Sequence, residues 1–239
     1  MATFVLIHGS WHGGWCWHKI VSRLEAKGHT VFAPDLPAHG RSWGTHREIG
    51  LEDYVKTVCA DIDRADEPVV VVAHSRGGIV ASQVAEARPE KIAACVYLAA
   101  YLIPDGKRVL DYALTDRESV VIRNLDVDRE RGCDMLRQEA FREGLYHDCD
   151  EDDVALANLL LSPEPILPAA TPLKLSGENY GRVPRHYIEL TGDRAVSLSL
   201  QRRMHEAVPC ARIMSIDASH SAYFSKPDEL TECILSVAA

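Results

Sequence analysis

The chain has 239 residues, 46% hydrophobic and 26% charged, a globular composition that excludes a disordered, collagen-like or coiled-coil chain. Its formal charge of −9 leaves no basic face of the kind a nucleic-acid binder needs. Seven cysteines, an odd number with no CxxC pair, point to reduced, packed thiols in a cytoplasmic protein rather than a disulfide framework or a zinc site.

The first residues, Met1–Gly9, carry no basic region, and their apolar run is too short for a signal segment. No stretch approaches the ~20 apolar residues of a membrane span. Phe4–Ile7 reads as a buried strand ending at Gly9. Ile20, Val21 and Leu24 share one helical face, which Gly28 stops. Val31–Ala33 is the next strand. Leu51, Tyr54, Val55, Val58 and Ile62 then recur at helical spacing. Val69–Val72 is β-branched throughout, as a parallel strand buried on both faces requires. A helix through Ile79, Val80 and Val84 follows, and then a strand over Ile92–Ala100. From about 103 to 180 no strand is expected. The stretch reads as charged helices at Asp116–Arg123, Arg129–Leu145 and Asp152–Leu161. The alternation resumes with strand Tyr187–Leu190, helix Leu198–Ala207, strand Arg212–Ile216 and a helix near Glu229–Val237.

This order predicts an α/β fold: a mainly parallel sheet with helices on both faces. Residues 1–102 and 181–239 form its core, and 103–180 are an inserted helical cap. The insertion holds 17 acidic and 9 basic side chains, net −8, while the remainder holds 18 and 17, net −1. The acidity therefore belongs to the cap, which is expected to disfavour anionic substrates. Part of it has a local cause: Asp148, Asp150, Glu151, Asp152 and Asp153 crowd a helix N-terminus, where negative charge is favourable.

Strand Val69–Ala73 runs through His74-Ser75-Arg76-Gly77-Gly78 into a helix. A serine on such a strand-to-helix turn stands exposed above the sheet, and small residues two before and two after it let the turn close. Ser75 is therefore the candidate nucleophile. It needs a base, and the base needs an orienting acid. Of the histidines after the insertion, His186 starts a strand and His205 lies in a helix. His220 follows strand Arg212–Ile216 in a loop at the carboxyl edge of the sheet, where ligands of open α/β sheets bind. His220 is the candidate base. Asp193 follows the preceding strand and is the candidate acid, with Asp217 as its competitor. The oxyanion donors are the backbone N–H groups of Arg76, after the nucleophile, and Ser10, in the glycine-rich loop after the first strand. Gly9, Trp11, Tyr101 and Val196 are candidate substrate-binding residues. Tyr101 and Val196 read equally well as core. All four tryptophans, Trp11, Trp15, Trp17 and Trp43, fall early in the chain, with Trp15 and Trp17 expected to pack beneath the oxyanion loop.

Together these residues resemble the α/β-hydrolase superfamily over nearly the whole chain. Asp35-Leu36-Pro37-Ala38-His39-Gly40-Arg41-Ser42 is similar to its D-L-P-G-H-G-x-S loop. The branch resembled is that of plant methylesterases, hydroxynitrile lyases and small bacterial esterases, including pyrethroid hydrolases. It is marked by His8-Gly9-x-x-His12-Gly13-Gly14-Trp15, by Tyr97–Tyr101, by Leu145-Tyr146 ahead of Asp153–Ala157, and by Ala218–Pro227. The resemblance implies a serine carboxylesterase acting on small, neutral, hydrophobic esters through an acyl-enzyme, with no metal or organic cofactor. The better-known lyases of the branch carry Thr at the position of Gly9 and Lys at that of Ser221. A lyase or a hydrolase-fold ligand receptor remains the alternative. Two departures stand out. Ala73 replaces the usual Gly of G-x-S-x-G. Arg76 replaces the usual Leu or Met: a side chain that points to solvent or to an acidic partner leaves the oxyanion N–H unaffected, and one that folds over the pocket alters substrate choice. A small-molecule ester, no nucleic acid and no membrane are the expected partners, and a homodimer is left open.

Overall fold

The computed structural model describes residues 1–42 and 44–238, so Trp43 lies outside the described residues. The chain order begins β1 (Thr3–Ile7), α1 (His18–Ala26), β2 (Thr30–Phe32), α2 (Leu51–Ile62), β3 (Val69–His74), α3 (Gly77–Ala87) and β4 (Ile92–Leu98). The insertion follows with α4 (Val109–Ala113), α5 (Val120–Arg123), β5 (Leu125–Asp128), β6 (Cys133–Leu136), α6 (Phe141–Leu145), α7 (Glu151–Leu160), β7 (Glu164–Pro165) and α8 (Leu167–Ala170). The chain closes with β8 (Arg185–Leu190), α9 (Leu198–Ala207), β9 (Arg212–Ile216), α10 (Ala222–Ser225) and α11 (Pro227–Leu235).

Six strands form one parallel sheet in the order β2-β1-β3-β4-β8-β9. Leu6 sits beside Val72, and Val72 beside Val96. The β-branched run of β3 feeds two cores. Val69 and Val71 belong to one core with Tyr54, Val58 and Ile62 of α2, Val80 and Val84 of α3, and, farther along the sheet, Leu200 and Met204 of α9. Val70 and Val72 face the other way, toward Trp17, Ile20 and Leu24 of the α1 region and Leu230 and Ile234 of α11. Each such aliphatic side chain, taken fully out of water, stabilises the fold by roughly 1.5–3 kcal/mol. Among the described residues no helix is long and apolar enough to cross a membrane.

The insertion departs from the expected helices. A three-stranded antiparallel sheet, β5-β6-β7, occupies part of it. The helix expected over Arg129–Leu145 is replaced by the end of a hairpin and the short α6, and that expected over Asp116–Arg123 shrinks to α5. The reason lies in the hairpin's sequence. Leu125-Asp126-Val127-Asp128 alternates with period two, and Gly132 takes φ +69°, a turn conformation that breaks any helix running through it. Glu151–Leu160 is the helix expected there, with Glu151, Asp152 and Asp153 in its first turn.

Candidate active site

Ser75 follows β3 at φ +52°, in the left-handed region that costs an ordinary residue ~1–2 kcal/mol. The turn is held by Ser75 N–H donating to Leu98 O at 3.2 Å and by Tyr101 N–H donating to Ser75 O at 2.9 Å. It also depends on missing side chains. A Cβ on Gly77 would lie 2.6 Å from His8 O, and one on Gly78 would lie 2.6 Å from Tyr101 O.

His220 lies in the loop after β9, and its Nδ1 donates to Asp193 Oδ2 at 2.7 Å. That bond leaves Nε2 as the free lone pair of the neutral ring. Asp193 is itself fixed. Its Oδ1 accepts from the N–H groups of Ala195 and Val196 at 2.7 and 3.0 Å, and Oδ2 also accepts from Gln201 Nε2 at 3.4 Å. Asp217, the competitor, instead accepts from Thr191 Oγ1 at 2.9 Å in an exposed position. His205 pairs with Glu189 at 2.9 Å, and His186 sits half-buried on β8. His74 lies inside the elbow stretch, but the sequence assigns it no role. Its Nε2 donates to His220 O at 2.8 Å, and the two rings lie 4.3 Å apart. Burial first, and the neighbouring His220 next, hold the His74 pKa well below that of a free imidazole.

Two further buried histidines orient the loop after β1. His8 Nε2 accepts from Leu36 N–H at 3.0 Å, so its Nδ1–H is the donor to Gly9 O at 2.8 Å. The Gly9–Ser10 peptide is trans, so a carbonyl drawn toward His8 leaves the Ser10 N–H facing the opposite way. His12 Nδ1 donates to Ser10 O at 2.7 Å, while its Nε2 faces the hydroxyls of Tyr146 and Tyr223 at 2.6 and 3.1 Å. Burial, and for His8 also the nearby His39, pushes these pKa values down to about 4 for His8 and about 3 for His12. Both rings are thus neutral hydrogen-bonding spacers at neutral pH. Among the described residues, neither Ser10 N–H nor Arg76 N–H donates to a protein acceptor. Behind this loop Trp15 stacks on His12 at 5.4 Å, and Trp17 is fully buried against Tyr223 at 5.3 Å.

A cavity of about 500 Å³ opens over these groups. Ser10, Trp11, Ser75, Arg76 and His220 border it. Tyr101 and Val196 lie on its wall, and Gly9 does not. The insertion contributes apolar residues that no sequence motif singled out, among them Leu110, Val121, Ile122, Leu125 and Leu167. The Arg76 side chain both borders the cavity and meets acids: Nη1 lies 3.3 Å from Asp134 Oδ2 and 3.6 Å from Glu164 Oε1. Glu164 is buried, and it also accepts from Trp11 N–H at 3.1 Å, His39 Nε2 at 2.9 Å and Tyr54 OH at 3.0 Å. Burial alone would raise the Glu164 pKa, but His39 and Arg76 outweigh it and hold the carboxyl down to about 2. His39 Nδ1 faces Pro37 O at 3.0 Å, and its Nε2 faces Glu164 Oε2, so the ring bridges the loop after β2 to the insertion. Arg76 and His39 thus meet Asp134 and Glu164 within one buried cluster. Sequence reading found Arg76 but missed Asp134 and Glu164, whose only signal is charge inside an insertion full of it.

A model of the alpha/beta hydrolase family matches residues 4–232. Methylesterase 7 of Arabidopsis thaliana is 35% identical over 249 aligned residues, spanning 98% of this chain and 95% of that protein. A pyrethroid hydrolase of Sphingobium wenxiniae is 31% identical over 247 aligned residues, spanning 100% of this chain and 88% of that protein. Among solved structures, a pyrethroid hydrolase from Sphingobium faniae superposes with a TM-score of 0.90 at 27% identity, over 99% of this chain and 97% of that one.

Proposed function

The chain belongs to the alpha/beta hydrolase family, and on that premise we propose that it is a serine carboxylesterase for neutral, hydrophobic esters. The observation that carries the reading is the 2.7 Å His220–Asp193 bond on the same cavity as a left-handed Ser75. The names of the methylesterase and pyrethroid hydrolase relatives support the ester as the bond attacked.

In this mechanism Ser75 Oγ attacks the ester carbonyl as His220 Nε2 takes its proton, and Asp193 steadies the imidazolium that results. The N–H groups of Ser10 and Arg76 receive the oxyanion. His220 returns the proton to the departing alcohol, leaving an acyl-Ser75. Water activated by the same ring then releases the acid. Residues 103–180 act as a cap that supplies the apolar wall and excludes water from the acyl-enzyme. Their net charge favours neutral over anionic esters.

The test is hydrolysis of p-nitrophenyl butyrate by Ser75→Ala. A loss of at least ~10³-fold in kcat is expected. Turnover near the wild-type rate would refute the assignment.

A further inference from the structure

We propose that Glu164, a residue of the inserted segment, is a positioning residue that braces both chain segments supplying the oxyanion donors. The proposal rests on the esterase reading above. Ser10 lies in the loop after β1 and Arg76 in the turn after β3, so their N–H groups belong to separate stretches of chain. Such donors stabilise a developing oxyanion only if held in place beforehand, to roughly 0.5 Å.

Glu164 reaches each stretch. Its Oε2 accepts from the N–H of Trp11, the residue following Ser10, at 3.1 Å. Its Oε1 lies 3.6 Å from the Arg76 guanidinium. Trp11 has φ +65°, an unfavourable conformation for a bulky side chain, so something outside the loop must hold it. The insertion does so at three points. Besides the Glu164 bond, Trp11 O accepts from Ser162 N–H at 2.9 Å, and Trp11 Nε1 donates to Asp134 Oδ1 at 2.9 Å. Glu164 is 2% exposed, and His39 and Tyr54 occupy its remaining lone pairs. A carboxylate so buried and so fully bonded has one geometry available to it. It transmits that geometry to both donors.

The experiment compares the full chain with Glu164→Ala and Glu164→Gln. Active sites are counted with a fluorophosphonate, and turnover of p-nitrophenyl butyrate is expressed per active site. A trifluoromethyl ketone, which forms a tetrahedral oxyanion adduct, is compared with an ether of the same shape that has no carbonyl. Removing one oxyanion donor outright costs about 10²–10³-fold. Glu164→Ala is therefore expected to lower kcat about 30–100-fold with KM within about threefold, to weaken the ketone in proportion, and to leave the ether unmoved. Glu164→Gln keeps an acceptor for Trp11 but loses the charge facing Arg76, and a loss of about tenfold is expected. If the alanine variant fails to fold, the glutamine variant decides by the same readouts. Values of kcat per site and ketone affinity within twofold of wild type, or equal losses for ketone and ether, overturn the proposal. A wild-type protein that neither turns over the ester nor binds the ketone would instead overturn the esterase reading.

Discussion

A Cβ on Gly9 would lie 2.8 Å from Ser75 Cβ and 3.0 Å from His74 Nδ1. Gly9, a candidate substrate-binding residue, is the clearance that lets the loop after β1 pass the turn that carries Ser75. Because the crowded atom is a main-chain-linked carbon of the candidate nucleophile, it cannot swing away. Gly9→Ala is expected to cost about 1–3 kcal/mol of stability, read as a lower urea midpoint, and to reduce kcat with it. The same distance leaves no room for the Thr carried by the better-known hydroxynitrile lyases. Ser221, where those enzymes carry Lys, is fully buried with its hydroxyl 3.1 Å from Tyr223 OH. The positions of Ser75, Asp193 and His220 are legible in the sequence because each follows a strand, and parallel strands end on one edge. Asp134 and Glu164 are not legible, because a charged residue announces its burial only through partners that lie far away in the chain.

Secondary elements show the same division. The long amphipathic stretches and the β-branched β3 are legible because period and length agree. The β5–β6 hairpin is not, because two four-residue strands around Arg129-Glu130-Arg131 carry too few apolar positions to outweigh helical spacing. Short elements of this kind depend on individual polar contacts, and α5 is the clearest case. Ser119 Oγ accepts from Ile122 N–H at 3.1 Å and donates to Ala195 O at 2.7 Å, which ties the insertion to the loop that carries Asp193. Ser119→Ala removes the helix cap and leaves a buried carbonyl without its donor. A loss of about 2 kcal/mol is expected, measured by urea unfolding.

At the scale of the whole molecule, the −9 charge is less of a surface property than the sequence suggests. Four of the insertion's acids, Asp116, Asp134, Asp153 and Glu164, are buried. Asp153, for example, pairs with Lys19 at 2.7 Å. Buried titratable groups also set the response to acid. The folded pKa values of His8 and His12, about 4 and about 3, lie below the ordinary 6.5, so the unfolded chain takes up these protons first. Their contribution to stability is complete above pH 6.5 and is lost as the pH falls from 6.5 toward 4, on the order of 3 kcal/mol each by pH 4. Glu164, at about 2 against an ordinary 4.5, adds a second loss that begins only below pH 4.5. Melting temperatures between pH 8 and 4 are expected to hold level and then fall from about pH 6.5. In His12→Asn the fall is expected to be shallower, from a lower starting value at pH 7.5.

β4 and β8 are neighbours in the sheet, yet residues 99–184 separate them along the chain. On the ribosome, β1 to β4 can pair as soon as they emerge, while β8 follows only after the insertion has been made. At roughly 5–20 residues per second that interval is on the order of ten seconds. Throughout it, the Cys95–Leu98 edge of β4 offers an apolar row of unpaired N–H and C=O groups to any passing strand. The length of the insertion thus fixes how long each newly made molecule stays open to aggregation.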